Sequence, residues 1–158
     1  LYNPFLVLIG AFVFFGAYSE NMLVQQMEFL RGHLVAEAMM TSFSRLAPTD
    51  TVALAADWLL AGCETSFLVV DHDKVLGAVS RSAIIEALRQ QQPDLPVERI
   101  MEPVTETFSP QQKLSKVYHK FYRNGSTVYP VVEDNTLKGL INLENVQEFV
   151  MVQSALRY

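Results

Sequence analysis

Few residues in this chain stand at spacings that do chemistry. His33, His72 and His119 lie far apart and show no metal-ligand spacing, so metal ligands would have to be gathered by folding. Cys63 is the single cysteine, which leaves no internal disulfide and no thiolate cluster. No HExxH motif and no nucleophile–base pairing can be read from the residues. Acid and base side chains are present as in any globular protein, and none marks out a stand-alone catalytic role. The most suggestive positions are Ser80, followed by Arg81, and Asn142, followed three residues on by Asn145. Each opens a helical pattern after a strand-like run. Ser and Asn are favourable helix N-caps in any protein, so their first role is to start those helices. Gly77 and Gly139, three residues earlier, suit a strand that another backbone approaches closely.

These two constellations are the same feature met twice. The segment from Val35 to Ala87 repeats at a fixed offset from Val97 to Phe149, without a gap. Val35, Met39, Pro48, Val69, Val70 and Gly77 fall on Val97, Met101, Pro110, Val131, Val132 and Gly139. Such a repeat predicts one small α/β unit duplicated, with the two copies burying their apolar faces against each other. Within each copy a short strand ending in Leu46 or Phe108 leads to a turn at Pro48 or Pro110. A helix follows, marked by Val52, Ala55, Ala56, Leu59 and Leu60, or by Leu114, Val117, Tyr118, Phe121 and Tyr122, at helical spacing. Gly62 and Asn124-Gly125 offer left-handed residues to end these helices. Two β-rich runs come next, Ser66 to Asp71 and Val75 to Ser80, then Thr127 to Val132 and Leu137 to Asn142, each pair joined by a polar turn. A last helix closes each unit, Ser82 to Gln90 and Leu143 to Val152. The order is β-α-β-β-α, and the polar linker Gln91 to Leu95 separates the copies.

The 158 residues carry a net charge of -5 with acidic and basic residues interleaved, so there is no basic stripe and no nucleic-acid partner is expected. Each copy alone would be marginally stable, which is a second reason to pair them. The chain begins at Leu1, as a piece of a longer protein would. Pro4 to Tyr18 contains no charge and is apolar on all sides. As a helix it would measure about 22 Å, short of a full bilayer crossing. A truncated membrane span, a signal-peptide core and a buried soluble helix compete for it, and the span suits an all-round apolar surface best. Ser19 to Gly32 reads as a separate connector helix, with Ser19 as N-cap, Gly32 as stop, and Leu23, Met27 and Leu30 on one stripe. The expected organisation is residues 1–18 as the C-terminal part of a transmembrane helix, 19–34 as the connector, 35–92 as the first copy and 93–158 as the second.

The ordered set resembles the CBS domain, and its duplication resembles a CBS pair, or Bateman module. The residues that carry the likeness are Val35-Ala36-Glu37-Ala38-Met39, Leu46-Ala47-Pro48, Phe67-Leu68-Val69-Val70-Asp71 and Gly77-Ala78-Val79-Ser80. Their counterparts are Val97-Glu98-Arg99-Ile100-Met101, Phe108-Ser109-Pro110, Tyr129-Pro130-Val131-Val132-Glu133 and Gly139-Leu140-Ile141-Asn142. The resemblance implies an α/β (α+β) fold of two pseudo-symmetric units packed face to face, preceded by the apolar helix. It implies a non-catalytic regulatory module, with dimerisation through the CBS helices or an empty, purely structural cleft as the alternative. Asn3-Pro4-Phe5, the apolar run, Gly16-Ala17 and the helix beyond are similar to the tail of site-2-type intramembrane zinc proteases, whose last span leads into cytosolic CBS domains. Transporters and channels with CBS pairs are the competing parents. Either parent places the pair in the cytoplasm, attached to a membrane domain.

The family often binds adenosine nucleotides, so AMP, ADP or ATP are the implied ligands. Its site pattern is glycine, two apolar residues, Ser or Thr, two more residues, then Asp. The helix opening favours a phosphate, and the Asp accepts from the ribose hydroxyls. In the first copy Ser80 matches, Arg81 adds a charge for phosphate, and Ala83 stands where the Asp belongs. In the second copy Asn142 replaces the hydroxyl and Asn145 keeps one acceptor. The resemblance places adenine against Ala47 and Pro48, or Ser109 and Pro110, with backbone near Thr65 and Ser66, or Thr127 and Val128, reading its edge.

Overall fold

A computed structural model describes residues 4–62, 64–72, 74–124 and 127–156. Cys63, Asp73 and Gly125 lie outside the described residues, as do the side chains of Ser19, Leu23, Tyr122 and Asn124. The chain opens on helix α1 (Pro4–Arg31), followed by a single turn α2 (Val35–Ala38). The first copy contains β1 (Arg45–Leu46), α3 (Val52–Ala61), β2 (Ser66–Asp71), β3 (Lys74–Ser80) and α4 (Arg81–Arg89). A 3-10 turn at Val97–Arg99 and strand β4 (Glu102–Pro103) lead to α5 (Leu114–Asn124), β5 (Val128–Glu133), β6 (Thr136–Asn142) and α6 (Leu143–Leu156).

The repeat survives folding in detail. Strands β2 and β3 form an antiparallel hairpin whose register shifts between Val69 and Val70; β5 and β6 form one that shifts between Val131 and Val132, the equivalent step. Strand β1 adds parallel to β2. Its counterpart in the second copy is a single parallel bridge, Phe108 to Val131, rather than a strand. Strand β2 is buried on both faces, as a strand between two apolar layers must be. Phe67 and Val69 enter the core of the first copy with Leu46, Val52 and Ile84. Leu68 and Val70 point the other way and join Val128 and Leu140 in a core shared by both copies. The two units therefore pack face to face, as the sequence predicts.

What the repeat does not announce is an exchange. Met40 pairs antiparallel with Leu140 by two hydrogen bonds of 2.8 and 3.0 Å, so the segment leading into the first copy completes the sheet of the second. Strand β4, the lead-in to the second copy, pairs with Gly77 and Ala78 of the first. The proline turns receive the same segments. Val35 N–H donates to Gln112 O (2.9 Å) and Ala36 N–H to Pro110 O (3.0 Å). Their equivalents are Val97 N–H to Asp50 O (2.8 Å) and Glu98 N–H to Pro48 O (3.2 Å). Gly77 and Gly139 exist for this contact. A Cβ on Gly77 would stand 2.6 Å from Glu102 O, and one on Gly139 2.6 Å from Met40 O.

Two local expectations are corrected. Ser19 caps no helix, because α1 runs unbroken for 28 residues, about 42 Å at ~1.5 Å per residue. Nothing near Ser19 removes a backbone donor or forces an unusual dihedral, and an N-cap residue inside a helix merely forgoes its cap. Gly62 does end α3, but at φ -116° rather than in the left-handed region, its N–H donating to Trp58 O at 3.0 Å. At the other end of α1, Gly32 is the stop the sequence suggests. Leu30 is fully buried and packs with Val35, Leu114 and Val146 in the core of the second copy. Burying such a leucine contributes about 1.5–3 kcal/mol, which fixes this end of α1 to its neighbour. Residues 4–15 are exposed on every side. Among the described residues no helix is long and apolar enough to cross a membrane.

Candidate functional site

The pseudo-twofold relation between the copies brings the N-terminal ends of α4 and α6 to one seam. Ser80 caps α4, its hydroxyl accepting from Ala83 N–H at 3.3 Å and lying 2.9 Å from the Ser82 hydroxyl. Asn142 and Asn145 cap α6 reciprocally: Asn145 N–H donates to Asn142 Oδ1 (2.7 Å), and Asn142 N–H to Asn145 Oδ1 (3.3 Å). Asn142 is buried, with its backbone N–H and its Oδ1 both used in this cap.

A cavity of about 690 Å³ opens between these helix ends, a size typical of small-molecule sites. Its walls come in repeat-related pairs: Thr65 with Thr127, Ser80 with Asn142, Arg81 with Leu143, Ser82 with Glu144, and Ile85 with Gln147. Ser66 and Phe121 complete the lining. Thr65 ties the two copies across the opening. Its carbonyl accepts from Arg81 N–H at 2.9 Å, and its hydroxyl donates to Glu144 Oε2 at 3.2 Å. A second cavity of about 310 Å³ lies between β3 and β5 and the lead-in that follows β4, with Ala78, Ser80, Thr105, Thr127, Val128 and Tyr129 in its walls. Its charged lining is two carboxylates, Glu102 and Glu106. Glu106 pairs with Lys120 at 3.0 Å.

The structure thus gathers Ser66, Ser80, Arg81, Thr127 and Asn142 at the large cavity, and Ser80, Thr127 and Val128 at the smaller one. Asn145 instead faces a third hollow, of about 400 Å³, with Met39, Met40 and Phe149. Ala47, Pro48, Ser109 and Pro110 line none of these three. They sit on the proline turns, where the Pro48 and Pro110 carbonyls hold the exchanged lead-ins. Thr65, beside Ser66, is also brought to the large cavity. Ser82, Ile85, Glu144 and Gln147 join the lining without a mark of their own in the sequence; the repeat pairs them with one another but does not single them out. Among the described residues no cluster of His, Cys, Asp or Glu is placed to hold a metal ion.

Outside the seam, an ionisable pair lies just after α1, beside Phe149 of the second copy. His33 Nδ1 lies 2.7 Å from Glu37 Oε2, and the His33 ring stands between Phe29 and Phe149 at 4.5 and 5.0 Å. The hydrogen bond to His33, then that from Leu34 N–H (2.8 Å), hold the Glu37 carboxyl below its ordinary value.

Comparison with known proteins agrees with this architecture. Residues 97–152 match the family model described as the CBS domain. No curated protein sequence matches the chain. Among solved structures, a hemolysin-like protein containing a CBS domain from Oenococcus oeni PSU superposes with a TM-score of 0.69 at 20% identity, covering 79% of this chain and 95% of that one. The CBS domain pair of protein MJ0100, in complex with 5′-methylthioadenosine and S-adenosyl-L-methionine, gives 0.68 at 21% identity, over 77% and 98%. CBSX2 in complex with AMP gives 0.66 at 19% identity, over 77% and 98%. With its two β-α-β-β-α units, their exchanged lead-ins and the matched second copy, the chain has the fold of a CBS domain pair, a Bateman module.

Proposed function

We propose that this chain is a non-catalytic regulatory module that takes an adenosine-bearing small molecule in the seam between its copies. AMP, ADP and ATP are the first candidates. The carrying observation is the 690 Å³ cavity on the pseudo-twofold axis, lined by Ser80 and Arg81 at one helix opening and Asn142 at the other. The neighbouring folds in complex with AMP, or with 5′-methylthioadenosine and S-adenosyl-L-methionine, support that ligand class. A ligand touching both copies would favour one relative orientation over another, which is the requirement for a population shift. The unbroken α1, anchored by Leu30, would carry that change to an attached membrane domain, with the pair on the cytoplasmic side. The all-round apolar turns of α1, with Phe5 72% and Phe12 82% exposed, suit such an attachment. The tail likeness read in the sequence makes a site-2-type zinc protease the first candidate parent, ahead of a transporter or channel.

Calorimetric titration of the chain in mild detergent with AMP, ADP, ATP, 5′-methylthioadenosine and S-adenosylmethionine tests the ligand. Binding at about 100-fold excess over Kd adds roughly 2.7 kcal/mol of stability, visible as a raised melting temperature. Absence of heat and of any shift at millimolar ligand refutes the sensing role. One observation favours a second reading, homodimerisation through the CBS helices with empty clefts. Ile85 and Leu88 of α4, and Met151, Val152 and Leu156 of α6, are exposed apolar side chains. Sedimentation without ligand decides it, because a monomer at all concentrations excludes that version.

A further inference from the structure

Acidic and basic side chains interleave over the chain as a whole, but α5 is an exception, for it contains no acidic residue. Leu114, Val117, Tyr118 and Phe121 form one stripe of this helix and are buried in the core of the second copy. Lys116, His119, Lys120 and Arg123 repeat the same spacing on the opposite, outward face. Lys113, just before the helix, is exposed as well. The basic stripe does not come with the repeated fold, since the equivalent positions of α3 hold Leu54, Asp57, Trp58 and Ala61. Neighbouring carboxylates offset only part of it. Glu106 pairs with Lys120 at 3.0 Å, and Lys113 lies close enough to Glu37 to help keep that carboxyl ionised. On the last turns of α1, Glu28 is paired with Arg31. Lys116 and Arg123 are exposed and make no ion pair among the described residues.

The end of α1 packs on α5 through Leu30, and Leu114 N–H donates to His33 O at 3.0 Å. Two helices in contact thus present the two signals that firm membrane attachment combines. One is the apolar segment at residues 4–15, exposed on every side, and the other is a basic face. The cytoplasmic leaflet is the negatively charged one. A chain of net charge -5 is repelled by such a surface unless its cationic side is turned toward it. Because the apolar stripe of α5 is occupied by the core, this helix can meet lipid only at the headgroups.

We propose that the outward face of α5 docks on the anionic headgroups of the bilayer to which α1 attaches, and so fixes how the pair is turned on that surface; this rests on the membrane-attached reading above. The test is flotation of the whole chain, diluted from mild detergent, with two kinds of vesicle. One is phosphatidylcholine alone, and the other is equal parts phosphatidylcholine and phosphatidylserine. The chain should prefer the anionic vesicles. Each exposed cation at such a surface contributes about fivefold in partitioning. The double variant Lys116→Gln/Arg123→Gln should therefore lose roughly 25-fold in affinity for the anionic vesicles and keep its affinity for the neutral ones. Lys74→Gln/Lys138→Gln removes the same charge from exposed positions on the two hairpins and should leave the preference in place. Salt near 1 M, where charges are screened within about 3 Å, should erase the preference. Equal partitioning of the unaltered chain into both vesicles, or a preference that the α5 variant leaves unchanged or that both double variants weaken alike, overturns the proposal while attachment through α1 stands. Capture of a DNA duplex or an acidic peptide by this face, without a preference for anionic vesicles, overturns it too. If the chain floats with neither vesicle, the membrane reading itself falls and this proposal with it.

Discussion

Replacing Gly139 by alanine tests the exchange of lead-in segments directly. The added methyl would lie 2.6 Å from Met40 O and 3.2 Å from Met39 Sδ. A methionine side chain can swing aside, but the carbonyl belongs to a backbone fixed by both Met40–Leu140 hydrogen bonds. Relief requires the lead-in to move away from β6, stretching those bonds and loosening Met40 from the shared core. Overpacking of this kind typically costs about 1–3 kcal/mol, and the backbone obstacle argues for about 2. For a chain of this size that lowers the melting temperature by roughly 4–8 °C. Gly77→Ala should behave alike, with Glu102 O at 2.6 Å and Met101 Sδ at 2.8 Å. Gly62→Ala is the comparison case, because its Cβ would meet Trp58 O at 3.3 Å and Glu64 N at 3.8 Å, a milder crowding confined to its own copy. Urea unfolding of the three variants separates the cases. If Gly77→Ala and Gly139→Ala both fall within about 0.5 kcal/mol of the parent, the usual range for surface changes, close cross-copy approach is not why these glycines are needed.

Two smaller effects follow from the caps and the α1 joint. Asn142→Ala removes the acceptor for Asn145 N–H and should lower stability by about 1 kcal/mol, read by urea unfolding; an unchanged midpoint would mean the cap is idle. Glu37, whose folded-state carboxyl is held below its ordinary 4.5, should stabilise the chain at neutral pH and lose that contribution as pH falls through the lowered folded value. The stability gap between the parent and Glu37→Gln should therefore narrow in unfolding curves between pH 6 and pH 3, and a gap independent of pH would refute the linkage. The carboxylate is 42% exposed, so solvent screening keeps this effect modest.

Most of the architecture was legible because duplication and periodicity are local signals. The helical spacing of Val52, Ala55 and Leu59, the β-rich run from Phe67 to Val70 and the turn around His72 each report their own conformation. What spacing cannot report is the partner of a segment. Nothing in Val35 to Met40 says that its hydrogen bonds go to residues about 75–100 positions away rather than to the copy it introduces. Nor does spacing show that the proline turns, which the resemblance sets beside adenine, offer their carbonyls to the exchanged lead-ins. Ser80 and Arg81 were legible at the cavity because helix openings are marked in sequence. Glu144 was not, since its meeting with Thr65 depends on how two cores settle against each other. Ser19 misled because a good cap residue signals a helix start only when the preceding residues leave the helix.

The packing of Leu30 and Val35 has a mechanical corollary. Although α1 is joined in sequence to the first copy, its last turn is embedded in the second. A pull or twist delivered along α1 would load the distal half of the molecule first and reach the adjacent half only through the common interior and the crossed edges. Leverage between the N-terminal helix and the nucleus of the first copy is thus indirect, and a small rotation at the midline is where such a load would be felt.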